Sequence, residues 1–250
     1  MKVTAYKTGK VTFKDDLLKI LDDYLPQLEE RSVVIITSKI ISICQGDVVK
    51  NDGTIHKEKL IKEHAEWYFT DENLKVFGTV IPTITKDILI ANAGIDESNA
   101  DGYFIFWPKD IDRITEAIWK YLREKHTIKQ LGIVVTDSHV APLRYGTIGV
   151  GLSWCGFKAT QDYRGKPDIF GRPLEMTQKN ILDALAVSAV MVMGEGNEQT
   201  PLAAITDIPF VKFQDHPTTQ EEREQIKIEK EKDIYGKLLT SVTWIKGEKK

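Results

Sequence analysis

The 250-residue chain lacks the features that mark secreted, membrane-embedded and nucleic-acid-binding proteins. Its only two cysteines, Cys44 and Cys155, lie far apart and outside any CxxC or Cys/His pattern, which predicts reduced thiols in a cytoplasmic protein. No apolar run reaches the ~18 residues that a membrane span needs, and the N-terminal stretch has no apolar core of the signal-peptide type. The net charge is −3 and no basic run with interleaved aromatic residues occurs, so a nucleic-acid partner is not expected.

The chain also lacks the common nucleotide-binding and hydrolase motifs. It has no GxxxxGK[ST] phosphate loop, no HExxH and no GxSxG, and its GTIGVG segment lacks the spacing of a dinucleotide fingerprint. A nucleophilic Cys155 would need a base and a cationic setting that the SWCGF segment does not have. What the chain has instead is scattered carboxylate, hydroxyl and amide oxygens with arginines and glycines. Hard oxygen ligands of this kind suit Mg²⁺ or Mn²⁺, and these ions accompany phosphoryl groups.

Hydrophobic periodicity predicts both helices and strands, in a chain long enough for one large domain or two small ones. Apolar segments predict strands at residues 2–6, 32–38, 87–92, 131–135 and 202–211, and a strand, turn and strand at 40–49. Helical spacing predicts helices at 15–30, 57–68 and 110–126, and a core helix that Pro173 opens and Gly194 ends. From residue 215 the composition changes, and Thr219 and Glu222 resemble a capping box before a charged helix. We therefore expect a main domain at 1–214 and a charged helical extension at 215–250.

The stretch from 131 to 151 organises the rest of the chain. An apolar segment of the kind buried on both faces of a sheet leads directly into Thr136, Asp137 and Ser138. A carboxylate and a hydroxyl at the end of such a strand would bind a cation or phosphate in a low-dielectric setting, although an Asx or Ser turn that closes the strand is an equal alternative. Arg144 follows, and then a series of glycines that would let backbone amides approach a ligand.

Three further polar segments are candidates for the same site, because ligands gather at strand ends of this kind. The NAGIDESN segment contains Asp96 and Asn99, although its residue types are also ordinary turn formers. The segment that begins QDYRGKPD holds Arg164 and Arg172, which would bind a carboxylate or phosphate, or form a solvated, salt-bridged loop. Glu195 stands between two glycines after the core helix, where it is either a ligand or an exposed residue beyond the helix cap.

These segments together resemble a known family. NAGIDESN, TDS followed by PLRYGTIGVG, DYRGKPDIFGRPLEMT and VMGEGNEQTP are similar, in order and spacing, to the motifs of the coenzyme F-420:L-glutamate ligase family, the γ-glutamyl ligases of the deazaflavin cofactor. The similarity covers roughly residues 8–211. Four separate motifs in the right order are far more specific than any one of them.

The resemblance implies an α+β fold, with mixed sheets and packed helices, in an intertwined homodimer. It also implies GTP-dependent amide-bond formation with two divalent ions, Mg²⁺ or Mn²⁺, in which the acceptor's carboxylate takes the γ-phosphoryl group and the amine of L-glutamate attacks the acyl phosphate. Asp96 and Asp137 would hold one metal, and Ser138 with Glu195 the second. Arg144, Arg164 and Arg172 would serve phosphates or substrate carboxylates. The residues implied to contact the nucleotide are Ser38, Lys39, Asn99, Met193, Gly194, Gly196, Asn197, Glu198, Gln199 and Thr200.

The chain departs from the family pattern at three places. Ile43 stands where the family has a lysine, Val140 and Ala141 stand where it has Gly-Arg, and residues 10–13 match poorly the N-terminal segment that contacts guanine. These changes resemble a bacterial subgroup described as folate-metabolism γ-glutamate ligases. The acceptor is therefore expected to be a folate-like molecule or the deazaflavin coenzyme F-420-0. The alternative is a relative that binds a nucleotide or a pterin without turnover.

Overall fold

The computed structural model describes residues 1–70 and 80–248, and these form a mixed α+β fold. The predicted fold class is confirmed in its α+β character. Thirteen strands and seven α-helices are present in this part of the chain. In chain order they are β1 (Lys2–Tyr6), α1 (Leu17–Tyr24), β2 (Ser32–Thr37), α2 (Ser38–Gln45), β3 (Val48–Lys50), α3 (Lys57–His64), β4 (Trp67–Tyr68), β5 (Pro82–Thr85), β6 (Ile88–Ala91), β7 (Tyr103–Ile105), α4 (Ile111–His126), β8 (Leu131–Val140), β9 (Thr147–Cys155), β10 (Thr160–Asp162), β11 (Gln178–Asn180), α5 (Ile181–Met193), β12 (Leu202–Thr206), α6 (Gln220–Gln225), α7 (Gly236–Leu239) and β13 (Ile245–Lys246).

A five-stranded sheet in the order β1-β12-β2-β8-β9 forms the centre of the fold. β2 and β8 run parallel, and the other neighbouring strands are antiparallel. The side chains of β2 alternate between the two faces: Val34 and Ile36 join the core under α1, α2 and α4, while Val33 and Ile35 join the core under α5. Helices therefore cover both faces, as the unbroken apolar sequences of these strands predict.

Two glycines let α5 pack directly on β9. A Cβ atom at Gly149 would lie 2.5 Å from the backbone oxygen of Ala186, and one at Gly151 would lie 2.4 Å from Leu182 Cγ. Their function is thus close approach of a helix to a strand. The sequence-based interpretation of this glycine series as a surface for a ligand was wrong at these two positions.

A second, smaller layer contains a four-stranded sheet in the order β13-β4-β5-β6 and the antiparallel pair β3-β7. Its apolar core is formed by α3, the two inner strands and the residues after β6, including Leu60, Ile61, Ile81 and Ile95. Because β13 lies at positions 245–246, the C-terminal segment returns to this layer and pairs with β4. None of the helices in the described part of the chain is both long enough and apolar enough to cross a bilayer.

The C-terminal tail, residues 215–248, runs from the central sheet to the four-stranded sheet of the smaller layer. The predicted capping box is confirmed: the Thr219 side chain accepts from the Glu222 N–H, and the Glu222 carboxylate accepts from the Thr219 N–H. Arg223 on α6 donates to Asp112 Oδ1 at 2.6 Å, beneath the central sheet. The domain boundary at residue 214 stays a prediction, but the tail packs against both layers rather than extending into solvent.

Several predicted element boundaries were wrong. Residues 38–45 form helix α2, not a strand, and Gly46 ends it in the left-handed conformation with φ of 72°. Pro173 does not open the core helix, which begins instead at Ile181, where the side chain of Asn180 accepts from the Asp183 N–H. The predicted helices at 15–30 and 57–68 are shorter, ending at Tyr24 and His64. The prediction of reduced cysteines agrees with the structure, since Cys44 and Cys155 are both free.

Candidate active site

A cavity of about 720 Å³ opens where the central sheet meets the small layer. Its walls come from the N-terminal turn at 8–12, the start of α2, the turn after β6, the outer half of β8 and the loop that follows α5. Three of them, the turn after β6, the outer half of β8 and the loop after α5, were selected in the sequence for their polar residues. The cavity is large enough for a nucleotide-sized ligand, since ligand pockets occupy ~300–1,000 Å³.

The parallel pairing of β2 with β8 brings two polar groups to one level. Thr37, the last residue of β2, is in register with Thr136 of β8. Lys39, two residues after the end of β2, therefore lies at the same end of the sheet as Asp137 and Ser138. The alternative of an Asx or Ser turn at Asp137 and Ser138 was wrong, because β8 continues to Val140 and pairs with β9 after a bulge between Val135 and Thr136. A bulge of this kind re-aims the side chains that follow it.

Asp137 lies in the wall of the cavity. The indole N–H of Trp107 donates to its Oδ2, and the backbone N–H of Ser138 donates to its Oδ1 at 2.8 Å. Burial raises the pKa of the Asp137 carboxyl to about 6, and the negative charge of nearby Asp96 also raises it. The Asp137 carboxyl therefore lies where the negative charge of Asp96 disfavours its ionisation.

Asp96 faces Asp137 from the small layer. Its Oδ2 pairs with Lys39 Nζ at 2.6 Å and accepts from Ser98 Oγ at 2.8 Å, while its Oδ1 accepts from two backbone N–H groups. Burial opposes ionisation of this carboxyl, but Lys39 and the hydrogen bonds from Ser98 outweigh burial, so the pKa lies below its usual value. Asp96 is consequently ionised at neutral pH and held in one orientation.

The loop after α5 forms a further part of the cavity wall. Ser138 Oγ donates to Glu195 Oε1 at 2.6 Å, so these two predicted metal ligands are adjacent. The loop is ordered by its own contacts and by its neighbours: the Gly196 N–H donates to Glu198 Oε2, Asn99 Nδ2 donates to the Gly196 oxygen, and the Thr8 N–H donates to the Gln199 oxygen, each at 2.8 Å. Asn99 thereby connects the small layer with the loop.

The predicted metal residues form two pairs rather than one cluster. Asp96 lies near Asp137, and Ser138 lies beside Glu195. Within residues 1–70 and 80–248, no three His, Cys, Asp or Glu side chains lie close enough together to hold one ion. This arrangement fits a hard divalent ion of the Mg²⁺ type, which takes one or two carboxylates from the protein and completes its shell with water and substrate phosphates.

Most of the predicted site residues line the cavity, and four do not. Those that line it are Lys39, Asp96, Asn99, Asp137, Ser138, Met193, Gly194, Glu195, Gly196, Asn197, Glu198, Gln199 and Thr200. Ser38 is buried behind the wall. Arg164 pairs with Asp162 at 2.7 Å and Arg172 lies 3.9 Å from Glu175, both on the exposed segment around β10 and β11, as in the salt-bridged alternative. Arg144 is exposed on the loop between β8 and β9. Their roles stay predictions.

Sequence reasoning missed several residues of the site. Trp107 binds Asp137 from behind the cavity wall, and no periodic signal distinguishes it from an ordinary core tryptophan. Thr8 lies in the wall and is buried, although it reads as a surface turn in the sequence. Ile43 and Val140, which belong to two of the three departures from the family pattern, both line the cavity. His139 lines it as well, and burial lowers the pKa of its imidazole. Cys155 lies outside the wall, and burial raises the pKa of its thiol to about 11, which agrees with an inert cysteine.

Comparison with known proteins places this architecture among ligases. The family model described as F420-0:Gamma-glutamyl ligase matches residues 6–207. A coenzyme F420:L-glutamate ligase of Methanococcus maripaludis is 33% identical over 249 residues, which cover 94% of this chain and 97% of the relative. A protein of the same name from Methanocaldococcus jannaschii is 34% identical over 198 residues, covering 73% of this chain and 79% of the relative. The matched region contains every strand and helix that borders the cavity.

Proposed function

The chain belongs to the F420-0 γ-glutamyl ligase family and is a glutamate ligase, and on this basis we propose that it joins L-glutamate to a folate-like or deazaflavin acceptor, such as coenzyme F-420-0, with GTP and two divalent ions. The observation that carries the proposal is that two pairs of oxygen ligands, Asp96 with Asp137 and Ser138 with Glu195, line one cavity. Divalent ions held by these pairs would bind the oxygens of a triphosphate and neutralise its charge. Location in the cytoplasm, where these substrates occur, belongs to the same proposal.

The reaction consists of two transfers. A carboxylate oxygen of the acceptor attacks the γ-phosphorus of GTP, the bond to the β-phosphate oxygen breaks, and GDP leaves. The amine of L-glutamate then attacks the acyl carbon, inorganic phosphate leaves, and the amine loses a proton as the amide forms. Two bound Mg²⁺ or Mn²⁺ ions would neutralise the charge on the phosphoryl oxygens during both transfers.

The residues of this chain would bind and align the reacting groups. Asp96 and Asp137 would hold one ion, and Ser138 and Glu195 the other. The ammonium of Lys39, which pairs with Asp96 here, lies at the position where a phosphate oxygen would also be attracted. The backbone and side chains of residues 193–200, with Asn99, would surround the nucleotide, since this loop already lines the cavity. Alignment and charge neutralisation are the main requirements of phosphoryl transfer.

A homodimer is part of the same proposal. Large apolar side chains are almost fully exposed on the loop between β8 and β9 and on the segment from 163 to 176, far from the cores. They are Leu143, Tyr145, Ile169, Phe170 and Met176. Exposed apolar surface of this extent marks a contact with another protein. The same segments carry Arg144, Arg164 and Arg172, so a second subunit would bring these arginines into a contact region, where they would serve phosphates or substrate carboxylates.

The second candidate is a relative that binds a nucleotide or pterin without turnover. It is favoured by Ile43 and Val140, which present apolar side chains to the cavity where charged or flexible residues are expected of a ligase. Tight nucleotide binding measured by calorimetry, with no product detected by mass spectrometry under any acceptor condition, would favour this candidate.

The proposal is tested by product formation. The protein is incubated with GTP or ATP, Mn²⁺, L-glutamate and a panel of folate and deazaflavin acceptors, and the mass of one added glutamyl unit is sought. Asp137→Asn should lower the rate at least ~100-fold, because it removes a charged ligand of the ion. Asp23→Asn is the matched control, since this carboxylate is exposed on α1 and pairs with Lys19. Equal turnover in wild type and Asp137→Asn would reject the site.

A further inference from the structure

Trp107 lies behind the acidic wall of the cavity and does not border the cavity itself. It belongs to the connection between β7 and α4, and its ring is 8% exposed. The indole N–H donates to Asp137 Oδ2, while Oδ1 of the same carboxylate accepts from the Ser138 N–H. Each oxygen thus has one fixed donor. Among the described residues these are the hydrogen bonds to the two oxygens, and each oxygen has a second lone pair that could accept a ligand.

The indole ring also packs against the segment that carries Asp96. Gly94, two residues before Asp96, has a φ of 72°, and a Cβ atom there would lie 2.3 Å from indole Cε2 and Nε1. The ring therefore lies against the bare backbone of Gly94 and reaches Asp137 across the junction between the two layers. Neither the left-handed backbone nor the contact leaves room for a larger residue at position 94.

We propose that Trp107 is a positioning residue for the first ion site: its indole fixes the rotation of the Asp137 carboxylate and the distance between the segments of Asp96 and Asp137. The inference rests on the proposed function, because it takes Asp137 to be a ligand of a divalent ion. Groups that orient a metal ligand through its second oxygen commonly change affinity ~10–100-fold when they are removed. Trp107 has the geometry of such a group.

The test compares two tryptophans that make the same kind of hydrogen bond. Trp107→Phe keeps an aromatic ring and removes the donor to Asp137. Trp119→Phe is the matched control, since Trp119 is also buried and its indole donates to the Leu131 oxygen at 2.8 Å, in the helix-covered core. Mn²⁺ binding is measured without substrates by electron paramagnetic resonance of the free ion, and folding is measured by thermal denaturation. We expect Mn²⁺ affinity to fall ~10–100-fold in Trp107→Phe and to stay unchanged in Trp119→Phe.

A second measurement uses the wild-type chain and does not depend on the folding of Trp107→Phe. In protein labelled with ¹⁵N-tryptophan, the five indole N–H signals can be assigned by replacing Trp67, Trp119, Trp154 and Trp244 singly, which leaves Trp107 by elimination. Mn²⁺ should broaden the Trp107 signal at a lower concentration than the other four, because that N–H donates directly to a ligand oxygen.

The outcomes separate the inference from the proposed function. Wild-type protein that binds no Mn²⁺ would refute the ion sites, and the role of Trp107 with them. Wild-type protein that binds Mn²⁺, with equal affinity in Trp107→Phe or with uniform broadening of all five signals, would overturn the positioning role alone. Equal losses of affinity in Trp107→Phe and Trp119→Phe would also overturn it, since the effect would then reflect stability.

Discussion

Replacement of Arg223 by methionine tests how firmly the C-terminal tail is joined to the central layer. The Arg223 side chain is 11% exposed and donates to Asp112 Oδ1 at 2.6 Å, and Asp112 also accepts from Ser153 Oγ at 2.6 Å. The guanidinium also lies 5.5 Å from the ring centre of Trp154. Methionine retains most of the apolar stem but removes the charge and every donor.

The expected loss follows from these contacts. A hydrogen bond to a charged group contributes about 1.5–3 kcal/mol, and a partly buried cation–π contact adds about 0.5–1 kcal/mol. The Asp112 side chain is 49% exposed, so water can reach it after the arginine is removed, and the ~3–5 kcal/mol cost of stranding a fully buried charge does not apply. Arg223→Met should therefore lower the free energy of unfolding by about 2–4 kcal/mol.

Urea denaturation measures this loss as a shift of the unfolding midpoint. An unchanged slope m shows that wild type and variant unfold between the same native and unfolded states. Lys227→Met is the matched control, because Lys227 on the same tail pairs at 2.9 Å with Asp87 and Glu224 at an exposed position. Exposed pairs of this kind contribute about 0–1 kcal/mol. If Arg223→Met costs no more than Lys227→Met, then the tail is a separable extension and the assignment of a structural role to this ion pair is wrong.

The remaining predictions concern packing and pH. Gly149→Ala should destabilise the fold by about 1–3 kcal/mol, since the new Cβ would meet the backbone of α5. The control is Thr147→Ala, at an exposed position of the same strand, which should change the free energy of unfolding by no more than about 0.5 kcal/mol in the same urea titration. His126 is buried, its Nδ1 accepts from the Leu28 N–H, and burial together with Lys125 lowers its pKa below 6.5. The neutral ring is thus favoured in the folded state, so its contribution is complete above pH ~6.5 and is lost as the pH falls from that value through the lower folded pKa. Thermal midpoints measured from pH 7 to pH 5 should fall less in His126→Gln than in wild type, and parallel curves would contradict this linkage.

The central sheet could be predicted well because its strands are apolar on both faces. Four of its five strands were predicted from the sequence, and for β2 and β8 the runs of Val, Ile and Leu also indicated burial of both faces. α2 could not be predicted in the same way. The β-branched residues Ile40, Ile41 and Ile43 favour a strand in the sequence. They form a helix in the structure, where they lie between the central sheet and the small layer. Tertiary packing overrode local preference there.

Most residues of the candidate site could be predicted from the sequence, but their arrangement in space could not. Asp137 and Ser138 come from the central sheet, whereas Asp96 comes from the turn after a strand of the other sheet, and nothing in the sequence indicates that these two sheets meet. The register of β2 with β8 explains why Lys39 reaches the same cavity. Gly149 and Gly151 could not be assigned a role from residue type alone, because a glycine allows close approach of a ligand and of a helix equally well.

The position of β12 between β1 and β2 bears on how the chain is made in the cell. β1 is synthesised first, but its partner spans 202–206, so the strand that joins the two halves of the sheet emerges only after more than three quarters of the sequence has been translated. Until then β1 and β2 each present an unpaired edge to other nascent chains. Contacts so distant along the sequence slow folding and prolong exposure to aggregation. Slow synthesis at low temperature, or a chaperone that shields these edges during translation, should therefore raise the yield of native protein more than any change at the cavity.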